Sequence, residues 1–277
     1  MEILFWFVSA SIFIFGLIIG SFLNCLIWRS YTGESALSGR SYCPKCRRKL
    51  AWLDLLPVFS FLILGGKCRY CRQSISWQYP AVELATAVLF CAGARMFAPM
   101  IFLGHFPIFR VLELLAYWVI LAAIVAVFVA DLRWYFIPDG AVVSGLVGAL
   151  ALRGLQSAEN YSIFHRLDAG AVVDPLLASI FAGLFFLAIF LASRGKWMGF
   201  GDVKYAFLMG LILGFIDTLI GLFLANFFGA IMGLALIAAG RKKMSSQIPF
   251  GPFLAAGTLI ALFFSPLIVN WYLSAGI

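Results

Sequence analysis

VLELLAYWVILAAIVAVFVA, residues 111–130, followed at once by Asp131, decides the class of this protein. An apolar run of about 20 residues is what an α-helix needs to cross the hydrocarbon core of a bilayer. The rest of the chain repeats the theme. Of 277 residues, 64% are hydrophobic and 12% charged, with a mean hydropathy of +1.03. A soluble domain is about half apolar and a quarter charged, so this excess needs lipid to bury it. Apolar runs at 3–28, 80–103, 111–130, 141–155, 173–193, 203–216, 217–240 and 252–272 predict an all-α polytopic integral membrane protein with about eight transmembrane helices. The fourth and sixth runs are short, which suits a tilted or half-buried helix or one merged with a neighbour. The first run has no basic residue before it and no small-residue cleavage site. It therefore reads as a retained helix rather than a signal peptide.

One insertion, Arg29 to Tyr79, is too polar to cross a bilayer. The chain thus divides into a first transmembrane helix at 1–28, an insertion at 29–79 and a transmembrane domain at 80–277. The net charge of +8 is explained by position. With the N-terminus outside, loops 29–79, 131–140, 194–204 and 241–251 face the cytoplasm and carry 16 of the 20 Lys and Arg. Arg95, Arg110, Arg153 and Arg166 lie in or near the opposite side. This is the positive-inside asymmetry, and it removes nucleic acid as the reason for the basic balance.

The same topology puts Asp131 and Asp202 at the cytoplasmic ends of spans. Acids at a membrane boundary are costly unless they face protein or water, so both are functional candidates. Two carboxylates sharing a site cannot both ionise cheaply, and one keeps a proton while the other serves as base. Such a pair deprotonates a water for attack on a peptide carbonyl, hydrogen-bonds the carbonyl oxygen and returns a proton to the leaving amine. The other reading is helix capping, which suits Asp202 ahead of Val203. Asp139, Asp174 and Asp217 read as caps. Gly199 and Gly201 would let backbone approach an extended substrate.

Cys43-x-x-Cys46 and Cys68-x-x-Cys71 lie 21 residues apart, just beyond the usual spacing of about 15–20 for a four-cysteine zinc ribbon. Four thiolates close a tetrahedral Zn2+ site with no open position, so the metal is structural. A short polar insertion has little core of its own and benefits from such a staple. A redox dithiol is the alternative. Lys45, Arg47, Arg69 and Arg72 would favour ionised sulfur. Gly65-Gly66 reads either as a hairpin turn or as a close backbone approach to a ligand.

Taken together these residues resemble the type IV prepilin leader peptidases, which also process type II secretion pseudopilins and are commonly bifunctional N-methyltransferases. The ordered set covers nearly the whole chain. It begins with Gly20-Ser21-Phe22-Leu23-Asn24 and Cys43-Pro44-x-Cys46. It continues through Gly65-Gly66-Lys67-Cys68-x-x-Cys71, Tyr79-Pro80-x-Val82-Glu83 and Asp131 with Ile137-Pro138-Asp139. It ends with Gly199-Phe200-Gly201-Asp202-Val203-Lys204 and Pro249-Phe250-Gly251-Pro252-Phe253. The resemblance implies Asp131 and Asp202 as catalytic aspartates in a multi-pass protein of the bacterial inner membrane, with a periplasmic N-terminus. It implies cleavage of a basic leader after Gly, on the cytoplasmic side, from prepilins or pseudopilins of the pilus or type II secretion machinery. It also implies methylation of the new N-terminus by S-adenosylmethionine, with Gly65, Gly66 and Glu83 as contributors. One departure is Arg133, where the family often has a second acid two positions after the first aspartate. Two other classes share single features: a transporter whose intramembrane acids relay protons, and a zinc-stapled assembly factor. The ordered motifs argue against both, and no inverted repeat supports the first.

Overall fold

The computed structural model describes residues 2–35, 38–103, 107–165, 169–241 and 248–274. Lys242, Lys243 and Arg166 of the charge argument lie outside them. The described residues form α1 (Glu2–Thr32), a 3₁₀ turn (Trp52–Leu55), α2 (Phe59–Ile63), α3 (Gln78–Leu103), α4 (Pro107–Trp134), α5 (Asp139–Phe164), α6 (Gly170–Ala192), α7 (Phe200–Leu213), α8 (Phe215–Ala238) and α9 (Gly251–Ser274). No strand occurs among them, only isolated bridges. Seven helices (α1, α3, α4, α5, α6, α8 and α9) are long and apolar enough to cross a membrane. The eighth apolar run is α7. Its 14 residues span about 21 Å at 1.5 Å per residue, less than a full hydrocarbon core.

Two boundaries differ from the sequence reading. The fourth run continues as a helix past Arg153 to Phe164, because its polar groups find partners inside the protein: Arg153 donates to the carbonyl of Ile212 and to Gln156. The sixth and seventh runs part at Gly214, whose φ of 81° is open to glycine and strained for other residues. Asp174, read as a cap, accepts the N–H of Phe215 at 3.0 Å and so caps α8, a helix distant from it in sequence. Asp139 is the first residue of α5 and makes no capping bond; its carboxylate pairs with Lys204 instead. Asp217 accepts the hydroxyl of Ser265.

The chain forms two compact units, Met1–Ala126 and Val127–Ile277. In the first, α1 packs along α3 at backbone distance. Gly16 and Gly20 face Ala87 and Glu83 so closely that a Cβ on Gly20 would lie 2.6 Å from the Glu83 Cα. Small residues at such seams are how membrane helices gain packing without a hydrophobic drive between them. In the second unit α7 is the central helix, flanked by α5, α6, α8 and α9. Its residues from Val203 to Leu213 are buried apart from Lys204 and Phe207, and Tyr205 reaches across to hydrogen-bond Thr258 of α9 at 3.0 Å. The α5 and α7 N-termini meet at Asp139 and Lys204, and further along Arg153 meets Ile212, so the two helices run in the same direction. The ends of α4, α6 and α8 and the starts of α5, α7 and α9 consequently gather at one end of this unit.

Candidate active site and cysteine centre

Asp131 sits in the last turn of α4 and Asp202 in the first turn of α7, both buried at 7% and 8% exposure. Seventy-one positions separate them in sequence, yet the fold brings the two carboxyls close enough for the Asp131 charge to act on Asp202. Neither has a basic partner among the described residues. Asp131 Oδ2 accepts the backbone N–H of Gly251 at 2.9 Å, and the Asp202 N–H bonds the carbonyl of Gly199. The motif around Gly251 thereby acquires a purpose that its sequence did not announce. A Cβ at that position would stand 2.7 Å from Asp131 Oδ2, so glycine is required for the backbone to reach the carboxylate. Close approach at Gly201 serves the fold, because a Cβ there would meet Ile137 at 3.0 Å, while Gly199 faces open space apart from Asp202. Lys204 follows Asp202 by two residues and binds the carboxylate of Asp139, with its ammonium 5.6 Å from the Phe200 ring. Both residues lie in the quoted motifs; their pairing was legible only from the structure. Arg133 is exposed beside the pair.

In the first unit Cys43, Cys46, Cys68 and Cys71 bring their sulfurs within 4.8 Å of one another. Cys43 and Cys71 stand 4.0 Å apart, against about 3.8 Å between sulfurs of a tetrahedral site with Zn–S bonds of about 2.3 Å. The four are built by two equivalent turns. The Cys43 N–H bonds the carbonyl of Arg48 and Cys68 N–H that of Gln73, while Arg47 and Arg72 donate back to Cys43 and Cys68 with φ of 56° and 59°. Bridges Tyr42–Lys49 and Lys67–Ser74 close each turn. The two turns thus repeat one another in hydrogen bonding as well as in their shared Cys-x-x-Cys-Arg sequence. Burial pushes the Cys43 thiol up. Burial opposes ionisation of Cys68 as well, but the N–H groups of Cys71 and Tyr70 and two thiols bring it down to about 7. At Cys71 the Gln73 N–H lowers the value, yet burial and three neighbouring thiols push it up to about 11. Four thiols thus compete for few protons' worth of charge, and a divalent cation resolves the competition. The donor set and its geometry fit a metal.

Asp54 of the 3₁₀ turn ties this centre to the rest of the insertion. Its carboxylate accepts Arg69 Nε at 2.6 Å, the Ala51 N–H at 3.0 Å and the Tyr70 hydroxyl at 3.1 Å. Burial raises its pKa, and these three donors together bring it below the usual carboxylate range. Gly65 and Gly66 take left-handed backbone in the turn that follows α2. Gly66 rests on the Phe61 ring, whereas a Cβ on Gly65 would meet nothing within 4 Å. Glu83, on α3, is buried and accepts the Val58 N–H and the Ser21 hydroxyl.

Comparison with known proteins now adds to this geometry. Residues 14–97 match the bacterial peptidase A24 N-terminal domain, and residues 118–234 match the type IV leader peptidase family. A prepilin leader peptidase/N-methyltransferase of Bacillus subtilis (strain 168) is 32% identical over 262 residues, covering 95% of this chain and 96% of its own. Proteins of the same description from Aeromonas hydrophila and Legionella pneumophila are 32% and 30% identical, each match covering 97% of this chain and 95% of the relative. No solved structure matches the chain. With such identity held from end to end, this chain belongs to the type IV prepilin leader peptidase family.

Proposed function

We propose that this enzyme removes the basic leader of type IV prepilins or type II secretion pseudopilins, cutting after a glycine, and then methylates the new N-terminal amine. The supporting observation is the buried pair Asp131 and Asp202, brought together by α4 and α7 with no basic partner among the described residues and with Gly251 donating to one of them. In this reading the pair holds one proton between its carboxyls. The ionised member takes a proton from water as the water oxygen attacks the scissile carbonyl. The protonated member donates to the carbonyl oxygen and stabilises the tetrahedral intermediate. The proton then passes to the leaving nitrogen and the C–N bond breaks. The pair titrates as a unit, so neither aspartate is assigned one role. The Gly251 N–H orients one carboxylate throughout.

The basic ends of the second unit would face the cytoplasm, and the pair would then lie in the inner membrane at the side where a cationic leader resides. The remaining mature chain begins with an apolar helix that stays in the bilayer. Cys43, Cys46, Cys68 and Cys71 would hold a structural Zn2+ and so shape the insertion at 29–79, between a first helix at 1–28 and the peptidase domain at 80–277. S-adenosylmethionine supplies the methyl group when bound, with Gly65, Gly66 and Glu83 as the residues of this chain that serve that reaction. Purified enzyme incubated with a full-length prepilin tests the reading by mass spectrometry. The expected products are leader and mature chain, the latter gaining one methyl group only when S-adenosylmethionine is present. An intact prepilin after prolonged incubation with folded enzyme contradicts it.

A further inference from the structure

Where α1 meets α3 there is a buried polar cluster that leader cleavage does not use. Asn24 is 3% exposed. Its amide nitrogen donates to two carbonyls, Gly20 O at 3.3 Å and Tyr79 O at 3.1 Å. These two acceptors fix which end of the amide is nitrogen, because the reversed amide would set oxygen against oxygen. Asn24 Oδ1 therefore points elsewhere, and no protein donor meets it. Buried acceptors without a donor are rare and call for an explanation.

Glu83 belongs to the same seam. It follows Tyr79 by one helical turn, and its Cα abuts Gly20, one turn before Asn24. At 6% exposure it accepts the Val58 N–H at 2.7 Å and the Ser21 hydroxyl, yet no Lys or Arg pairs with it among the described residues. Val58 presents its N–H from a φ of 62°, a conformation that a β-branched residue adopts only when its surroundings impose it. The insertion is thus held in a strained turn against a carboxylate that lacks a counter-charge among the described residues, one helical turn along the seam from an amide oxygen that lacks a donor.

What would complete this cluster is narrowly defined. The Ser21 and Val58 donors are already engaged, so an anion or a carbonyl gains nothing here. A water would satisfy Oδ1 but leave the carboxylate charge uncompensated. Mg2+ or Ca2+ takes six or more oxygen ligands and would have to bring several waters into a seam where α1 and α3 pack at backbone distance. An ammonium group carries a positive charge and several donors, and it answers both needs at once. We propose that Asn24 Oδ1 and Glu83 form the binding site for the α-ammonium of the mature substrate, released by leader cleavage and presented for methylation. The inference rests on the N-methylation reading above. S-adenosylmethionine also carries an ammonium. The site lies between two membrane-spanning helices, where a substrate beginning with an apolar helix delivers its N-terminus, and this favours the substrate amine.

The test uses full-length enzyme in lipid nanodiscs, as wild type and as Glu83→Gln and Asn24→Leu. Gln keeps an oxygen for the Val58 N–H, and leader cleavage at the aspartate pair reports that each variant is folded. The probe is a synthetic mature N-terminal peptide, labelled at its C-terminus, with its amine either free or acetylated. Binding is read by fluorescence anisotropy without S-adenosylmethionine. S-adenosylmethionine affinity is measured separately by equilibrium dialysis. Wild type is expected to prefer the free amine at least tenfold, and both variants to lose that preference, with cleavage and S-adenosylmethionine affinity within twofold of wild type. Equal binding of the two peptides by wild type overturns the proposal. A preserved preference in the variants overturns it as well, and so does a tenfold loss of S-adenosylmethionine affinity, which would assign the cluster to the methyl donor. If wild type binds the free amine selectively but mass spectrometry finds no methyl gain, the methylation reading fails while the amine site stands.

Discussion

Replacing Gly251 by Ala isolates the backbone support of the aspartate pair. A Cβ at this position would lie 2.7 Å from Asp131 Oδ2 and 3.0 Å from its Cγ, while ordinary contact begins at 3.4 Å, so the carboxylate or the start of α9 must yield by about 0.7 Å. Gly251 has no left-handed φ, so the substitution adds the contact without backbone strain. The movement also stretches the 2.9 Å bond from the Gly251 N–H, and a hydrogen bond to a charged group is worth about 1.5–3 kcal/mol. Displacing a catalytic group by about 1 Å costs on the order of 100-fold in rate. The expected result is therefore a loss of roughly 10- to 100-fold in kcat for prepilin cleavage, with a smaller change in KM, because the contact disturbed is the one to the Asp131 carboxylate. Gly140→Ala is the control, since a Cβ there meets nothing within 4 Å. Initial rates on a purified prepilin, resolved by gel or mass spectrometry, measure both. A Gly251→Ala enzyme that is folded and within twofold of wild type would refute the claim that this contact positions Asp131.

Metal analysis is expected to find one zinc per chain, and Cys68→Ser or exhaustive chelation is expected to remove it. Zinc affinity should fall continuously as pH drops from about 11 and most steeply below about 7, because each ligand must shed its proton to bind and Cys71 sits near 11 and Cys68 near 7. Asp54→Asn removes a charge that holds Arg69, the Ala51 N–H and Tyr70, and should destabilise the insertion by about 1–3 kcal/mol, read by hydrogen exchange across residues 51–71. Because the Asp54 pKa is lowered by folding, that contribution is complete above the ordinary carboxylate range and is lost as pH falls through the lowered value. Arg133→Glu restores an acid near Asp131 and should raise kcat/KM for a basic leader about threefold at low salt, an advantage that disappears at about 1 M salt, where the screening length is about 3 Å.

The helices were legible from apolar runs because lipid imposes one solution on a backbone that must satisfy its own hydrogen bonds. The ends were less legible wherever polar residues found partners inside the protein, as Arg153 does with the end of α7 and Asp174 with the start of α8. The cysteine cluster could be read from spacing alone, since two Cys-x-x-Cys turns restrict where four sulfurs can go. Both turns carry Cys-x-x-Cys-Arg, yet the matching hydrogen bonds and the left-handed Arg47 and Arg72 that make them equivalent are visible only in the structure. Asp131 and Asp202 stood out as costly acids, but their meeting is a tertiary fact. So are the Gly251 contact, the Asp139–Lys204 pair and the bare oxygen of Asn24, each joining residues far apart in sequence. Motif order flagged those positions without saying what each one touches.

The central claim is that Asp131 and Asp202 together perform the cleavage. Asp131→Asn and Asp202→Asn keep side-chain volume while removing one ionisable group each, and general acid–base groups of this kind contribute on the order of 10²–10⁴-fold. Single-turnover cleavage of a prepilin by each variant, with folding verified by thermal unfolding and retained zinc, is expected to fall by about 10³-fold or more in both. Cleavage at the wild-type rate by either folded variant would contradict the account.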